Sequence, residues 1–205
     1  MRSVLDGRDI TARGRILEAA LELFSANGFR STTVRAIADA AGVSAGLVLH
    51  HFGSKENLRR ECDERVVHFI GAKDASDAAD VIAHAASQFG PYIARMLYEA
   101  GEASDSLFDR LLESARNALD VGVDSGTMTA SSDVDAQAAA LLTLGVAPFF
   151  LAAQLARWAG GDAQAGIARV AGPIADIYAR GLFVDTSHRM DPPHRVDASQ
   201  QRQDQ

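Results

Sequence analysis

The stretch that decides the fold runs from Gly28 to Glu64: GFRSTTVRAIADAAGVSAGLVLHHFGSKENLRRECDE. Thr32 or Thr33 is placed to cap a helix whose inward face is Val34, Ile37, Ala38 and Ala41, spaced at the helical period. Gly42 ends that helix and Val43 fills the corner. Ser44 caps a short third helix, about 45–51, and Gly53 stops it. Ser54 caps a fourth, with Glu56 in its first turn, where a carboxylate favours the positive end of the helix dipole. Short helix, glycine turn, short helix is the helix-turn-helix arrangement: the first helix spans a DNA backbone and the second lies in the major groove. Ala40, Ala41 and Gly42 are small, which lets the two helices approach closely at the turn.

Working outward, residues 11–27 place Ile16, Ala20, Leu23 and Phe24 on one helical face, with Gly28 as the C-terminal stop. Beyond residue 70 the chain again reads as helices, near 75–89, 91–100, 103–122, 132–160 and 162–184. Gly90-Pro91, Gly101, Gly122–Gly126 and Gly160-Gly161 punctuate them. No stretch alternates with period two over a strand length. The expected fold class is all-α: a three-helix head at 1–54, a helical bundle at 55–185 and a disordered polar tail at 186–205, about nine helices in total.

Composition narrows the function classes. Hydrophobic residues make up 47% of the 205, enough for a real core. A single cysteine, Cys62, excludes an intrachain disulfide and a four-cysteine zinc site, and suits a reducing cytoplasm. The N-terminus lacks an apolar signal core, and the longest apolar run, 138–153, is broken by Thr143, Gly145 and Pro148, short of a membrane span. The net charge of −7 is unequally divided. Residues 1–60 carry nine Lys/Arg against six Asp/Glu, and the rest carry eleven against twenty-one. A basic head on an acidic body suits a protein that meets phosphate at one end.

Within this frame the quoted stretch resembles the DNA-binding domain of TetR/AcrR bacterial transcriptional regulators. The likeness rests on Gly28-Phe29, the run Thr33-Val34-Arg35-Ala36-Ile37-Ala38, Ala41-Gly42-Val43-Ser44, His50-His51-Phe52, and Ser54-Lys55-Glu56-Asn57-Leu58. It covers about the first quarter of the chain. The resemblance implies a homodimer that binds a palindromic double-stranded operator and responds to a small-molecule effector, with repression the usual sign and activation the alternative. It also implies site roles. Thr33, His50 and Lys55 would meet phosphates, and Arg35 a base edge or phosphate. Ser44, Ala45, Gly46 and Leu47 would face the groove, with His51 beside them. The chain departs from the family where Ala45 replaces a frequent Lys or Arg, Leu47 a Thr, and Leu49 and His51 a Tyr. So apolar a recognition helix reads thymine methyls and leaves Arg35 as the main hydrogen-bonding reader, with DNA shape supplying the rest.

Other constellations weigh less. Glu64/His68 and Asp80/His84 are i,i+4 pairs, but the further carboxylates of a di-iron site are missing, and surface pairing is the preferred reading. Arg59, Arg60 and Arg65 near Cys62 suggest a reactive thiol; a semi-buried structural cysteine is the plainer reading. No cofactor, no enzyme and no membrane partner is expected. Phe89, Tyr92, Met96, Phe108, Phe149 and Phe150 are candidate walls of an effector pocket, with ordinary core as the alternative. Pro148 is expected to kink its helix and free a carbonyl near residue 144. The last two helices are Ala-rich. By the same resemblance, Leu144, Leu151, Leu155, Ile167, Val170, Ile174, Ile177 and Tyr178 would form the dimer face. Two rivals stand: an all-helical binding protein or enzyme with a vestigial helix-turn-helix, and a module acting through a protein partner.

Overall fold

The computed structural model describes residues 3–71, 84, 85, 88–99 and 101–180. Among the described residues there are nine α-helices and no strand. They are α1 (Ser3–Asn27), α2 (Val34–Ala41), α3 (Ala45–Phe52), α4 (Lys55–Gly71), α5 (Gly90–Tyr98), α6 (Glu102–Asp124), α7 (Val134–Phe150), α8 (Ala152–Ala159) and α9 (Ala163–Arg180). The helix expected over 75–89 falls largely outside the described residues, and the tail at 186–205 does so entirely.

Helices α2, α3 and α4 follow from their caps. The Thr33 hydroxyl accepts from the Ala36 amide at 3.1 Å, so Thr33 and not Thr32 is the N-cap. The Thr32 hydroxyl turns inward instead and donates to Gly28 O at 2.8 Å. Gly42 sits at φ 65°, in the left-handed region, and returns its amide to the end of α2. Ser44 caps α3 through the Leu47 amide, and Ser54 caps α4 through the Asn57 amide. Ile16, Phe24, Ile37, Ala38, Val48, Phe52 and Leu58 close a small core between these helices. That core continues without a break through Cys62, Val66, Ile93, Leu107 and Phe149 into the body. Helix α4 therefore belongs to both halves.

The expected helix over 132–160 is two helices. Pro148 has no amide to give to the carbonyl one turn back, so the ladder weakens there. The helix ends at Phe150, Leu151 forms the hinge, and α8 leaves at 62° to α7. Helices α8 and α9 then pack as a close antiparallel pair. A Cβ on Gly166 would lie 2.6 Å from Leu155 O, so only glycine permits this approach. Among the described residues no single helix is long and apolar enough to cross a membrane.

Candidate nucleic-acid interface

Helix α3 is anchored on one face and open on the other. Val48 and Phe52 are 1% and 6% exposed, while Ser44, Ala45, Gly46, Leu49 and His50 lie at the surface. Leu47 and His51 are half-buried at the margin. The scaffold holds this orientation with cations from α1. Arg15 Nε donates to Ala41 O at 3.1 Å, closing the carbonyl end of α2 at the turn. Arg13 lies 5.0 Å over the Phe52 ring and pairs with Glu61 at 2.7 Å. On α2, Arg35 is exposed, and Thr33 presents its cap hydroxyl at the same end. The structure thus brings Thr33, Arg35, Ser44, Ala45, Gly46 and His50 to the surface of the helix-turn-helix.

Lys55 is placed differently from a free phosphate-seeking charge. Its ammonium donates to Phe29 O and Thr32 O, both at 2.9 Å, and stands 4.3 Å over the Phe29 ring. Two of its three protons are thereby committed to tying α4 to the α1–α2 turn.

Sequence reasoning missed a buried polar network where head meets body. Asp63 is fully buried on α4. It accepts from Arg59 Nη1 at 2.6 Å and from the Tyr92 hydroxyl at 2.7 Å. Arg59 also donates to Ala103 O at 3.1 Å, so three helices meet on one carboxylate. Burial pushes the Asp63 carboxyl above the ordinary range for an aspartate, while the Tyr92 hydroxyl and the Arg59 guanidinium hold it down. Burial also raises the Tyr92 phenol, with the neighbouring carboxylate adding to it. A signal existed in the sequence. Arg59 and Asp63 share the α4 face of Cys62 and Val66, and two charges on an apolar face mark a buried ion pair.

Cys62 is a structural residue of the core. It is fully buried, and burial first, then Asp63, drives its thiol pKa far upward despite the nearby arginines. The reactive-thiol reading fails, because the thiolate is what reacts. Glu64 gives its carboxylate to Arg110 at 3.2 Å; Asp80 lies outside the described residues.

The candidate pocket residues divide. Phe89, Tyr92, Met96 and Phe149 are buried together in the body core, with Phe89 edge-on to Phe69 at 5.2 Å. Phe108 and Phe150 are at the surface, 41% and 45% exposed. A groove of about 560 Å³ runs between α4 and α6, lined by Glu64, Val67, His68, Gly71, Arg110, Glu113, Ser114 and Asn117. None of the six candidates lines it.

The candidate dimer residues divide as well. Leu144 and Leu151 are exposed, and Leu155, Val170, Ile174 and Ile177 are partly so. Ile167 is buried in the core. The Tyr178 hydroxyl donates to Leu141 O at 2.8 Å, and burial raises it to about 12. Trp158, an aromatic that ordinary core packing would bury, is exposed and stacked by Arg169 at 4.1 Å.

Comparison with known proteins agrees with this architecture. Residues 16–62 match the family model for bacterial regulatory proteins of the tetR family, and residues 87–184 match the tetracyclin repressor-like C-terminal domain. The HTH-type transcriptional regulatory protein RaaS of Mycobacterium tuberculosis is 37% identical over 191 residues, covering 86% of this chain and 89% of that protein. The HTH-type transcriptional repressor KstR2 of the same species is 48% identical over 52 residues, 25% of this chain and 26% of that repressor. Among solved structures, FadR of Bacillus subtilis in complex with stearoyl-CoA superposes with a TM-score of 0.57 at 18% identity, over 82% of this chain and 98% of that one. The fatty acid degradation regulator FadR of Bacillus halodurans gives a TM-score of 0.61 at 18% identity, over 83% and 95%. At such identities these two structures speak for the fold alone. With both halves matched and a relative similar along nearly its whole length, the chain belongs to the tetR family of bacterial regulatory proteins and is a transcriptional regulator, not an enzyme.

Proposed function

We propose that this regulator is a repressor that binds a palindromic operator as a homodimer in the cytoplasm and is released by a small-molecule effector held in its body. The observation that carries the reading is the strip Ser44, Ala45, Gly46, Leu49 and His50, exposed on a helix locked from behind by Val48 and Phe52. A helix so held has a fixed attitude and a free face, which reading a groove requires. Ala45, Leu47 and Leu49 offer methyls to thymine, and Arg35 supplies hydrogen bonds to a base edge or phosphate. Thr33, His50 and the remaining proton of Lys55 serve phosphates, with His51 at the margin.

Dimerisation places two such helices about 34 Å apart, one turn of duplex. The exposed apolar side chains Leu144, Leu151 and Trp158 on α7 and α8, with the half-buried row Val170, Ile174 and Ile177 on α9, support a two-fold four-helix contact. The division into a head at 1–54 and a body at 55–185 follows the same reading. An effector shifts the dimer only by its differential affinity for the two head spacings. A pocket opening among Phe89, Tyr92, Met96 and Phe149 would act on α4 directly, because Tyr92 is bonded to Asp63.

Selection of bound duplexes from a random pool by the full-length protein tests this. The expected product is a two-fold symmetric sequence with half-sites about 10 bp apart. Enrichment of no symmetric sequence would refute the reading.

A further inference from the structure

Helix α1 ends without a cation of its own. Its last turn carries no basic residue, and Gly28 follows at φ 81°. The last carbonyls of a helix lack intrahelical partners and favour a positive charge. Here the charge comes from 68 residues away: Arg95 Nη2 on α5 donates to Asn27 O at 3.2 Å. The same guanidinium donates through Nε to Glu99 Oε1 at 3.1 Å, just beyond α5. Glu99 completes the contact, its Oε2 accepting from the Phe29 amide at 3.2 Å. The backbone of Phe29 is therefore divided between two arms. Its N–H is held from α5 by Glu99, and its C=O from α4 by Lys55. Gly28 is what lets Glu99 in, since a Cβ at that position would overlap the Glu99 carboxylate.

Four residues after Phe29 stands Thr33, the cap of α2 and the first of the DNA-facing residues. Helix α5 itself is rooted in the body core by Tyr92, Ile93 and Met96, all buried. A displacement of α5 thus reaches the helix-turn-helix without passing through α4. We propose that Arg95 and Glu99 are positioning residues for DNA binding: they form a second arm, from α5 to the α1–α2 turn, that fixes the angle of each head and so the spacing of half-sites the dimer accepts. The inference rests on the operator-binding reading above.

The test uses the full-length protein and the duplex it selects, with versions in which the half-sites are one base pair closer and one farther. Arg95 and Glu99 are partly exposed, so each hydrogen bond lost is worth about fivefold in an equilibrium. Glu99→Ala and Arg95→Ala are each expected to lose about fivefold of the wild-type preference for the correct spacing. Glu99→Gln, whose amide oxygen still accepts from Phe29 while its NH2 group faces the Arg95 N–H donor, keeps one of the two contacts and is expected to lose less than Glu99→Ala. A variant that is merely less stable would weaken all three duplexes alike, and that outcome overturns the proposal, as does a spacing preference unchanged in both alanine variants. Amide hydrogen exchange at Phe29 in the free wild-type protein gives an arm that needs no variant. Protection is expected, and exchange at the rate of an open loop overturns the contact. A wild type that selects no duplex overturns the operator-binding reading instead, and leaves the exchange arm to judge the contact by itself.

Discussion

Replacing Tyr92 by Phe removes one oxygen from a site where three helices meet. The ring stays, so the apolar packing of α5 is kept, and the change isolates the 2.7 Å bond to Asp63. Asp63 is fully buried and then keeps, among the described residues, Arg59 as its side-chain donor. A hydrogen bond to a charged group contributes about 1.5–3 kcal/mol. A chain of this size melts about 3 °C lower per kcal/mol, so a fall of about 5–9 °C is expected. The loss depends on pH. The folded-state pKa of Asp63 is raised, so the folded chain binds a proton more readily than the unfolded one, and stability falls as pH rises through that window. The Tyr92 hydroxyl lowers that pKa, so Tyr92→Phe lifts it further and extends the window upward. The deficit is therefore small below the ordinary aspartate range and fully developed above the raised value. Thermal melts followed by circular dichroism, at one protein concentration and from pH 4 to pH 8, measure it. A loss under about 0.5 kcal/mol at neutral pH, or one independent of pH, overturns this account, since a buried carboxylate that loses a donor should cost more.

Other substitutions separate reading from scaffolding. Arg35→Ala, at an exposed position, should cost about 1–3 kcal/mol on the selected operator and little on random DNA, with an unchanged melting temperature; competition binding checks both. Lys55→Ala should lower the melting temperature as well as binding to every sequence, because it removes two carbonyl contacts in the head; differential scanning calorimetry beside the binding assay tells this apart from a pure phosphate contact. Thr33→Ala should cost about 1 kcal/mol of stability through the lost cap, seen in urea denaturation. Gly166→Ala forces a Cβ against Leu155 O and should separate α8 from α9. That costs about 1–3 kcal/mol and weakens the dimer in sedimentation equilibrium.

Much of the head was legible because its signals are local. Thr33, Ser44 and Ser54 cap helices through amides three residues on, and Gly42 and Gly53 take backbone angles that glycine adopts without strain. The inward row Ile37, Ala38, Ala41, Val48 and Phe52 follows from helical period alone. What sequence reasoning missed depends on contacts between distant segments. Asp63 and Tyr92 are 29 positions apart, and Glu99 and Phe29 are 70. The motif assigns Lys55 a phosphate contact only, because the carbonyls it also serves lie 23 and 26 residues earlier. The candidate pocket divided for a similar reason: residue type cannot say which side of α6 or α7 faces inward, and Phe108 and Phe150 face out. Pro148 announces a break, but the helix runs on to Phe150 and the bend falls at Leu151, beyond the proline.

In the proposed complex two copies of the Ser44–Phe52 segment grip one duplex together. Titration of the selected operator with full-length protein, followed by fluorescence anisotropy and by mass in the ultracentrifuge across a range of salt, decides whether it forms. Two protomers per duplex are expected, with an isolated half-site bound far more weakly and log affinity falling linearly with log salt. One protomer per duplex, or an affinity indifferent to salt and to symmetry, would contradict it.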